Sequence, residues 1–208
     1  MLKIENTEVY GWEAAIRGMR NPLNSWEQSD SYQDELFGFQ IGEKDFDLMQ
    51  RLKRAGTDHR KFMRMITVSC DLVAPLYWWK EYDTYKVGTV ANSCSTMHKI
   101  HAKEFDLEDF SHERMSVDAV CVLHMVIDML NTRRNDFIET KRKIFWDDMI
   151  QLLPSSYNQR RTVLLNYEVL ANIYRSRKTH KLAEWHTFCE WIEGLPHSEL
   201  ITGVIDNG

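Results

Sequence analysis

The sequence predicts a single α+β domain, residues 1–208, in which helices outnumber strands. Several segments place apolar residues at helical spacing, and the longest of them is residues 116–143. Residues 65–73 are rich in β-branched side chains and alternate in part, which predicts a strand. The chain has 208 residues, 43% of them hydrophobic, which is enough for one substantial core, and no linker, repeat or low-complexity tract divides it.

The first part of the chain predicts two helices separated by a loop. Residues 7–20 have a short helical pattern that an Asn-Pro pair stops. The polar residues 21–42 are expected to form an ordered surface loop, as a lid, a wall of a site or a plain connector. Residues 43–55 are apolar at helical spacing and end at a glycine. The basic residues at that end either complement the helix dipole or contact a phosphate.

Residues 74–98 are the segment most informative about a possible binding site. Pro75 suits the first turn of a helix, predicted over residues 76–86, which contains two adjacent Trp and three Tyr. A glycine then breaks the pattern, and small polar residues such as Asn92 and Ser95 follow in a loop or short strand. Aromatic side chains beside small hydrogen-bonding residues are typical of a pocket for a flat polar ring. The alternative is a buried core helix followed by a turn.

The second half of the chain predicts four further helices, over residues 116–143, 144–153, 157–177 and 182–192. Asn166 and Arg177 are eleven residues apart in the third of them. At about 100° per residue both side chains point the same way. An amide and a guanidinium on one face can bind the edge of a ring and an anion together. A solvated helix face is the alternative.

Composition excludes several classes of function. The net charge of −5 argues against a general nucleic-acid-binding protein, which is usually basic. The four cysteines form no C-x-x-C pair, so they indicate neither a zinc site nor a disulfide framework and favour a reducing compartment. The N-terminus has no signal pattern, and no apolar run approaches the length of a membrane span. We therefore expect a cytoplasmic protein without nucleic-acid or membrane partners.

Histidines near residues 92–98 raise two further hypotheses about function, a metal site and a catalytic Cys–His pair. His98 and His101 are three residues apart and His112 follows, but no defined third donor completes a ligand set, so we predict no metal site. Cys94 and His98 are four residues apart, and a nucleophilic dyad is the other alternative for this segment.

Motifs spread over residues 60–195 together resemble the flavin-dependent thymidylate synthase family. That family has the signature Arg-His-Arg-x2-Ser-x-Asn-Glu-x-Ser-x-Arg shortly after an aromatic-containing helix. Here Asn92 and Ser95 have the spacing of its Asn and second Ser, and residues 66–86 resemble the strand, Ala-Pro and helix that precede them. The later part of this chain resembles the family's C-terminal pattern at Leu153-Pro154, Asn166, Arg177 and Glu184-Trp185.

The signature departs from the family's pattern mainly by losing charge. The replacements are Lys86 alone for the Arg-His-Arg, Ser93 for the Glu, Met97 followed by His98 for the last Arg, and Glu168 for the Arg that usually follows the later Asn. Each lost charge-assisted hydrogen bond is worth about 1.5–3 kcal/mol. The candidate compensating cations are Arg20, Arg60, Arg64 and Lys80.

The resemblance implies an antiparallel sheet packed with several long helices, in a homotetramer with active sites between subunits. It implies FAD that relays hydride from NADPH, and methylenetetrahydrofolate that supplies carbon to C5 of deoxyuridine monophosphate (dUMP). It also implies the site: Arg177 as the catalytic residue that polarises the ring, Lys86, Asn92, Ser93 and Ser95 for the substrate, and Asn166 and His98 for the cofactor. Two alternatives remain open, a nucleotide-binding relative without catalysis and a different group transfer on a pyrimidine nucleotide.

Overall fold

The computed structural model describes residues 1–203, which fall into two compact units. Unit 1 contains Met1–Glu5, Asp71–Thr84 and Ala91–Thr162, and unit 2 contains Asn6–Cys70, Tyr85–Val90 and the chain from Val163 onward. The last five residues of the domain predicted over 1–208 lie outside the described residues, and the single domain stays a prediction.

The strands of the described chain are β1 (Lys3–Tyr10), β2 (Tyr32–Asp34), β3 (Gly38–Gln40), β4 (Thr67–Pro75), β5 (Val90–Ser93) and β6 (Asn158–Asn166). Four of them form an antiparallel sheet in the order β1-β4-β6-β5, so β5 is an edge strand. The short strands β2 and β3 pair antiparallel as a separate hairpin. An antiparallel sheet with several helices is the predicted fold class, which is confirmed.

Helices fill most of the remaining chain. They are α1 (Trp12–Arg20), α2 (Glu43–Arg54), α3 (Leu76–Tyr82), α4 (Thr96–Lys99), α5 (Val117–Thr140), α6 (Lys143–Leu152), α7 (Tyr167–Arg177), α8 (Ala183–Glu193) and α9 (Glu199–Thr202). The predictions for α2, α5, α6 and α8 are confirmed to within a few residues. No helix within residues 1–203 combines the length and the apolar character that crossing a membrane requires.

The prediction of a helix over residues 7–20 is wrong in its first part, which is the end of β1. Gly11 makes the change from strand to helix with a φ of +90°. A Cβ atom at this position would lie 2.0 Å from the carbonyl oxygen of Met65. The positive φ and the close approach both require glycine, so the strand ends and α1 begins at this residue.

The prediction of one helix over residues 157–177 is also wrong. Its first half is β6, an inner strand of the sheet, and α7 follows without a loop. The β-branched and apolar residues between Thr162 and Leu165 suit a half-buried strand, and Val163 and Leu165 are buried on one side. Asn166 is therefore the cap of α7, and Arg177 is its last residue.

Residues 21–42 form an ordered segment, as expected, and it contains the β2–β3 hairpin. The buried carboxylate of Asp45 organises it, accepting hydrogen bonds from Arg20 Nε, Ser29 Oγ and Ser31 Oγ at 2.6 Å each. Burial raises the pKa of Asp45, but these hydrogen bonds outweigh it and hold that pKa below its usual value.

Candidate functional site

The aromatic helix α3 belongs to the core of unit 1. Trp78 and Trp79 are 0% and 1% exposed, and Tyr82 stacks on Trp78 with 5.2 Å between ring centroids. The indole Nε1 of Trp79 donates to the backbone oxygen of Gln159 at 3.0 Å, and the Arg161 guanidinium lies 4.1 Å above the same ring. The interpretation as a core helix is therefore correct for these three aromatic residues, and a pocket wall formed by this segment stays a prediction.

The predicted substrate-binding residues of unit 1 lie on an exposed edge. Asn92 and Ser93 are exposed on β5, at the end of the sheet. Ser95 caps α4, because its Oγ accepts a hydrogen bond from the backbone N–H of His98 at 3.1 Å. The imidazole of His98 is exposed beside it. The structure thus brings these four polar residues together in one short exposed segment.

Two hydrogen bonds with β6, one from the backbone and one from a side chain, fix the start of that segment. Cys94 N–H donates to the Arg160 oxygen at 3.0 Å, and the Cys94 oxygen accepts from Gln159 Nε2 at 3.0 Å. Among residues 1–203, no group of three or more His, Cys, Asp or Glu side chains is arranged to hold a metal ion.

Asn166 holds two parts of unit 2 together. Its Oδ1 accepts from the backbone N–H of Val169 at 3.0 Å, which caps α7, and its Nδ2 donates to the Gly88 oxygen at 3.3 Å. Gly88 has a φ of +79°, and a Cβ atom there would lie 2.8 Å from Asn166 Nδ2. The predicted cofactor-binding amide therefore already serves the local structure.

Arg177, the predicted catalytic residue, is half-buried at the end of α7. Its Nε donates to the hydroxyl of Tyr85 at 2.9 Å, and its guanidinium carbon lies 4.8 Å from the ring centroid of Trp185. Asn166 and Arg177 thus contact the segment Tyr85–Val90 at two points, and Lys86 is exposed in that segment. Asn166 and Arg177 lie at opposite ends of α7, and the segment Tyr85–Val90 is what they have in common.

A charge cluster lies at the start of α7, where this chain has Glu168 in place of the Arg of the resembled pattern. Glu168 is 7% exposed and accepts two hydrogen bonds from Arg64, one of them from Nη2 at 3.3 Å. Arg60 is buried, with its Nε 3.8 Å from Glu168 Oε1. The hydrogen bonds with Glu168 raise the pKa of Arg64. Two arginines are thus held where the resemblance expects one.

The other two candidate compensating cations are placed differently. Arg20 is buried in its ion pair with Asp45, and so it stabilises the fold. Lys80 is exposed on α3 in unit 1. Arg60 and Arg64 are therefore the candidates that the structure brings to the start of α7.

A cavity of about 630 Å³ lies beside this cluster in unit 2. Its lining is largely apolar and includes Met19, Leu52 and Phe62. Charged and basic side chains also line it, namely the acidic Asp58 and the basic His59, Lys61 and Arg64. Such a cavity can enclose an apolar ring system and bind an anionic group beside it. The basic run after α2 was the only sequence signal for it.

Comparison with known proteins shows that the chain has a known fold. Neither the family models nor the curated proteins contain a match to the chain. Among solved structures, a flavin-dependent thymidylate synthase from Helicobacter pylori, complexed with FAD and dUMP, superposes with a TM-score of 0.72 at 17% identity, covering 98% of this chain and 100% of that one.

The fold is flavin-dependent thymidylate synthase-like. A second structure of the Helicobacter pylori enzyme with FAD and dUMP gives the same TM-score and identity over the full length of both chains. A UMP/dUMP methylase from Streptomyces cacaoi, bound with 5-Br UMP, has a TM-score of 0.63 at 13% identity, covering 98% of this chain and 95% of that one. At these identities the likeness is one of fold.

Proposed function

We propose that the protein methylates a pyrimidine nucleotide, dUMP in the first instance, with methylenetetrahydrofolate as the carbon donor and flavin-relayed hydride from NADPH. The observation that carries the proposal is the fold, which covers nearly the whole chain and is shared with a synthase complexed with FAD and dUMP and with a UMP/dUMP methylase. The proposal includes a homotetramer in the cytoplasm with active sites between subunits.

The residues at the start of α7 fit a flavin nucleotide. Arg60, Arg64 and Glu168 together carry one net positive charge, and the first turn of a helix also favours an anion. The adjacent cavity, with its apolar lining and basic residues, suits a ring system joined to phosphate. Arg64 would hold the anionic part of FAD, and Asn166 would position the segment around it. FAD, when bound, supplies the hydride chemistry.

Arg177 would polarise the pyrimidine ring. The Tyr85 hydroxyl fixes one edge of its guanidinium and the Trp185 ring supports its face, so the group is oriented before a ligand arrives. The exposed ammonium of Lys86 would bind the nucleotide phosphate. Asn92, Ser93 and Ser95 would hydrogen-bond the nucleotide, and His98 would contact the cofactor.

Two measurements on the purified protein test this proposal. Flavin absorbance is measured as purified and after adding FAD with dUMP, and we expect a bound flavin band. Conversion of a panel containing dUMP and UMP is then read by product mass, with methylenetetrahydrofolate and NADPH present. Absence of both bound flavin and a mass shift with any nucleotide would contradict the proposal.

A matched pair of variants tests the role of Arg177. Arg177→Ala should abolish turnover, because it removes the positive charge that faces the ring. Arg175→Ala removes an exposed arginine from the same helix and should leave turnover unchanged. Equal activity of the two variants would exclude Arg177 as the catalytic residue.

Nucleotide binding without catalysis is the second candidate function. It is favoured by Met97, an exposed neutral side chain where the resembled signature has its last Arg, and by Glu168, an acid where an Arg is usual. It predicts that a pyrimidine nucleotide raises the melting temperature without any turnover. The same substrate panel, read by mass, separates this function from a different group transfer.

A further inference from the structure

The hydroxyl group of Tyr85 makes only one of its two kinds of hydrogen bond. It accepts from Arg177 Nε at 2.9 Å, and within residues 1–203 no group accepts a hydrogen bond from its own O–H. A phenol is a donor as well as an acceptor, and Tyr85 is half-buried. Its O–H is therefore a donor that the described chain leaves available to a ligand.

Contacts around the ring fix the position of this hydroxyl. The Tyr85 ring meets the buried Trp185 ring edge to face, with 6.2 Å between centroids, and the Arg177 guanidinium carbon lies 5.6 Å from the Tyr85 centroid. The backbone oxygen of Tyr85 accepts from Thr89 Oγ1 at 2.6 Å, which closes the turn that follows. A donor held in this way loses little conformational freedom when it binds a ligand.

The contact with Arg177 decides which ligand groups the hydroxyl recognises. A guanidinium has several N–H donors and no acceptor. Its positive charge draws electron density from the Tyr85 oxygen, which strengthens the O–H as a donor and weakens the oxygen as an acceptor of a second hydrogen bond. The two side chains together therefore favour a ligand oxygen over a ligand amino group.

The pyrimidine bases uracil and cytosine differ in this property at one position. Uracil has a carbonyl oxygen, O4, where cytosine has an amino group that donates. A site edge made of donors binds O4, whereas it places the cytosine amino group against other donors, which is a repulsive contact. O4 is also conjugated with C5, the carbon that the proposed reaction alkylates. A donor at O4 therefore stabilises negative charge that develops there during the reaction.

We propose that Tyr85 is a further catalytic and specificity-determining residue, whose O–H donates to O4 of the pyrimidine beside Arg177. The site then takes 4-oxo pyrimidine nucleotides and rejects cytosine nucleotides. This inference rests on the proposed function, which assigns the ring to Arg177 but gives no residue that distinguishes one pyrimidine from another. The resembled signature has Arg-His-Arg in this stretch, so the phenol is a feature of this chain.

Equilibrium binding of dUMP and of deoxycytidine monophosphate (dCMP) to the full chain, with FAD present, is the first test. We expect the wild-type chain to prefer dUMP about a hundredfold, and Tyr85→Phe should reduce this preference to about tenfold, because Arg177 is still present. The loss should appear in the affinity for dUMP, since cytosine does not use the hydroxyl. A thermal melt verifies that the variant is folded.

Two further variants are the controls for this measurement. Tyr174→Phe removes another tyrosine hydroxyl of unit 2, which donates to Glu193 Oε1 at 2.7 Å, and should leave both affinities unchanged. Lys86→Ala should weaken the two nucleotides equally, because they carry the same phosphate. An unchanged preference in Tyr85→Phe would overturn the inference, as would an equal effect of Tyr174→Phe.

Sulfur analogues of the nucleotide give a test that does not depend on a protein variant. Sulfur is a weaker hydrogen-bond acceptor than oxygen, so the wild-type chain should bind 4-thio-dUMP about tenfold more weakly than dUMP. Binding of 2-thio-dUMP, which changes the other carbonyl, should match that of dUMP. A penalty for the 2-thio analogue alone, or for neither analogue, would exclude a hydrogen bond from Tyr85 to O4.

Turnover separates a failure of this inference from a failure of the proposed function. Tyr85→Phe should lower kcat for dUMP about a hundredfold with a smaller change in KM, because the hydrogen bond strengthens as charge develops at O4. Conversion of dUMP with an unchanged kcat in Tyr85→Phe, or equal conversion of dCMP by the wild-type chain, would overturn the inference alone. A chain that binds and converts no nucleotide would contradict the proposed function, and this inference with it.

Discussion

The predicted site residues of the two units differ in how much the fold already uses them. In unit 2, Asn166 caps a helix and binds the Gly88 carbonyl, and Arg177 is held by Tyr85 and Trp185. In unit 1, the residues from Asn92 to His98 are mostly exposed on an edge strand and a short helix. A substitution in unit 2 should therefore change stability as well as the proposed binding, whereas one on the unit 1 edge should leave stability almost unchanged.

The largest expected effect comes from the buried ion pair of Arg20 and Asp45 in unit 2. Asp45→Asn removes the carboxylate that faces Arg20 and two serine hydroxyls, and breaking such a buried pair costs about 4 kcal/mol. Denaturation by urea measures this cost. Asp47→Asn, on the same helix, is the control and should change stability by less than about 0.5 kcal/mol.

The pH dependence of the same residue has a definite sign. Because the pKa of Asp45 is lower in the folded chain than in the unfolded chain, its stabilisation is complete above the unfolded value of about 3.9. It is lost as the pH falls through the lowered, folded-state value. Wild-type stability should therefore fall more steeply with acid than that of Asp45→Asn, and parallel curves would contradict this assignment.

The next effect concerns the charge cluster at the start of α7. Glu168→Gln removes the carboxylate between Arg60 and Arg64, and we expect a cost of about 3 kcal/mol, less than for Asp45 because the Arg64 side chain is largely exposed. An anion should recover part of this stability by binding the two guanidinium groups. Stability is measured with and without inorganic phosphate, and Glu190→Gln, an exposed acid on α8, is the control. No recovery with phosphate would argue against an anion site here.

The smallest effects provide the direct contrast between the two units. Asn166→Ala should cost about 1–2 kcal/mol, because it removes a helix cap and the hydrogen bond to Gly88. Asn92→Ala should change stability by less than about 0.5 kcal/mol while still weakening nucleotide binding. Thermal melts and a nucleotide titration on both variants measure this difference. Equal loss of stability in the two would remove the contrast.

The sequence predicted those features that local patterns specify. The 3.6-residue pattern of α5 and the β-branched run of β4 were sufficient for both elements. β6 was mistaken for a helix because its residues are apolar at irregular spacing, and its place inside the sheet depends on β4 and β5, which are distant in sequence.

The candidate site was predictable only where the resembled motif retains its spacing. The sequence placed Asn166 and Arg177 on one face of a single helix, whereas Asn166 is the cap of α7, and neither Gly88 nor Tyr85 could be named in advance as their hydrogen-bond partners. Arg64 and Glu168 are separated by 104 residues, and no local pattern links an acid on one helix to a base that distant. The sequence therefore suggested which cations could compensate, and the three-dimensional arrangement was needed to choose among them.

The direct junction of β6 and α7 has a consequence for how this chain can change. Strand and helix meet at Asn166 with no intervening residues, so there is no slack to absorb a change in length. One inserted residue after Asn166 would turn α7 by about 100° and advance it by about 1.5 Å, moving Arg177 away from Tyr85 and Trp185. An insertion or deletion at this junction should therefore disturb the fold more than the substitution of a single side chain there.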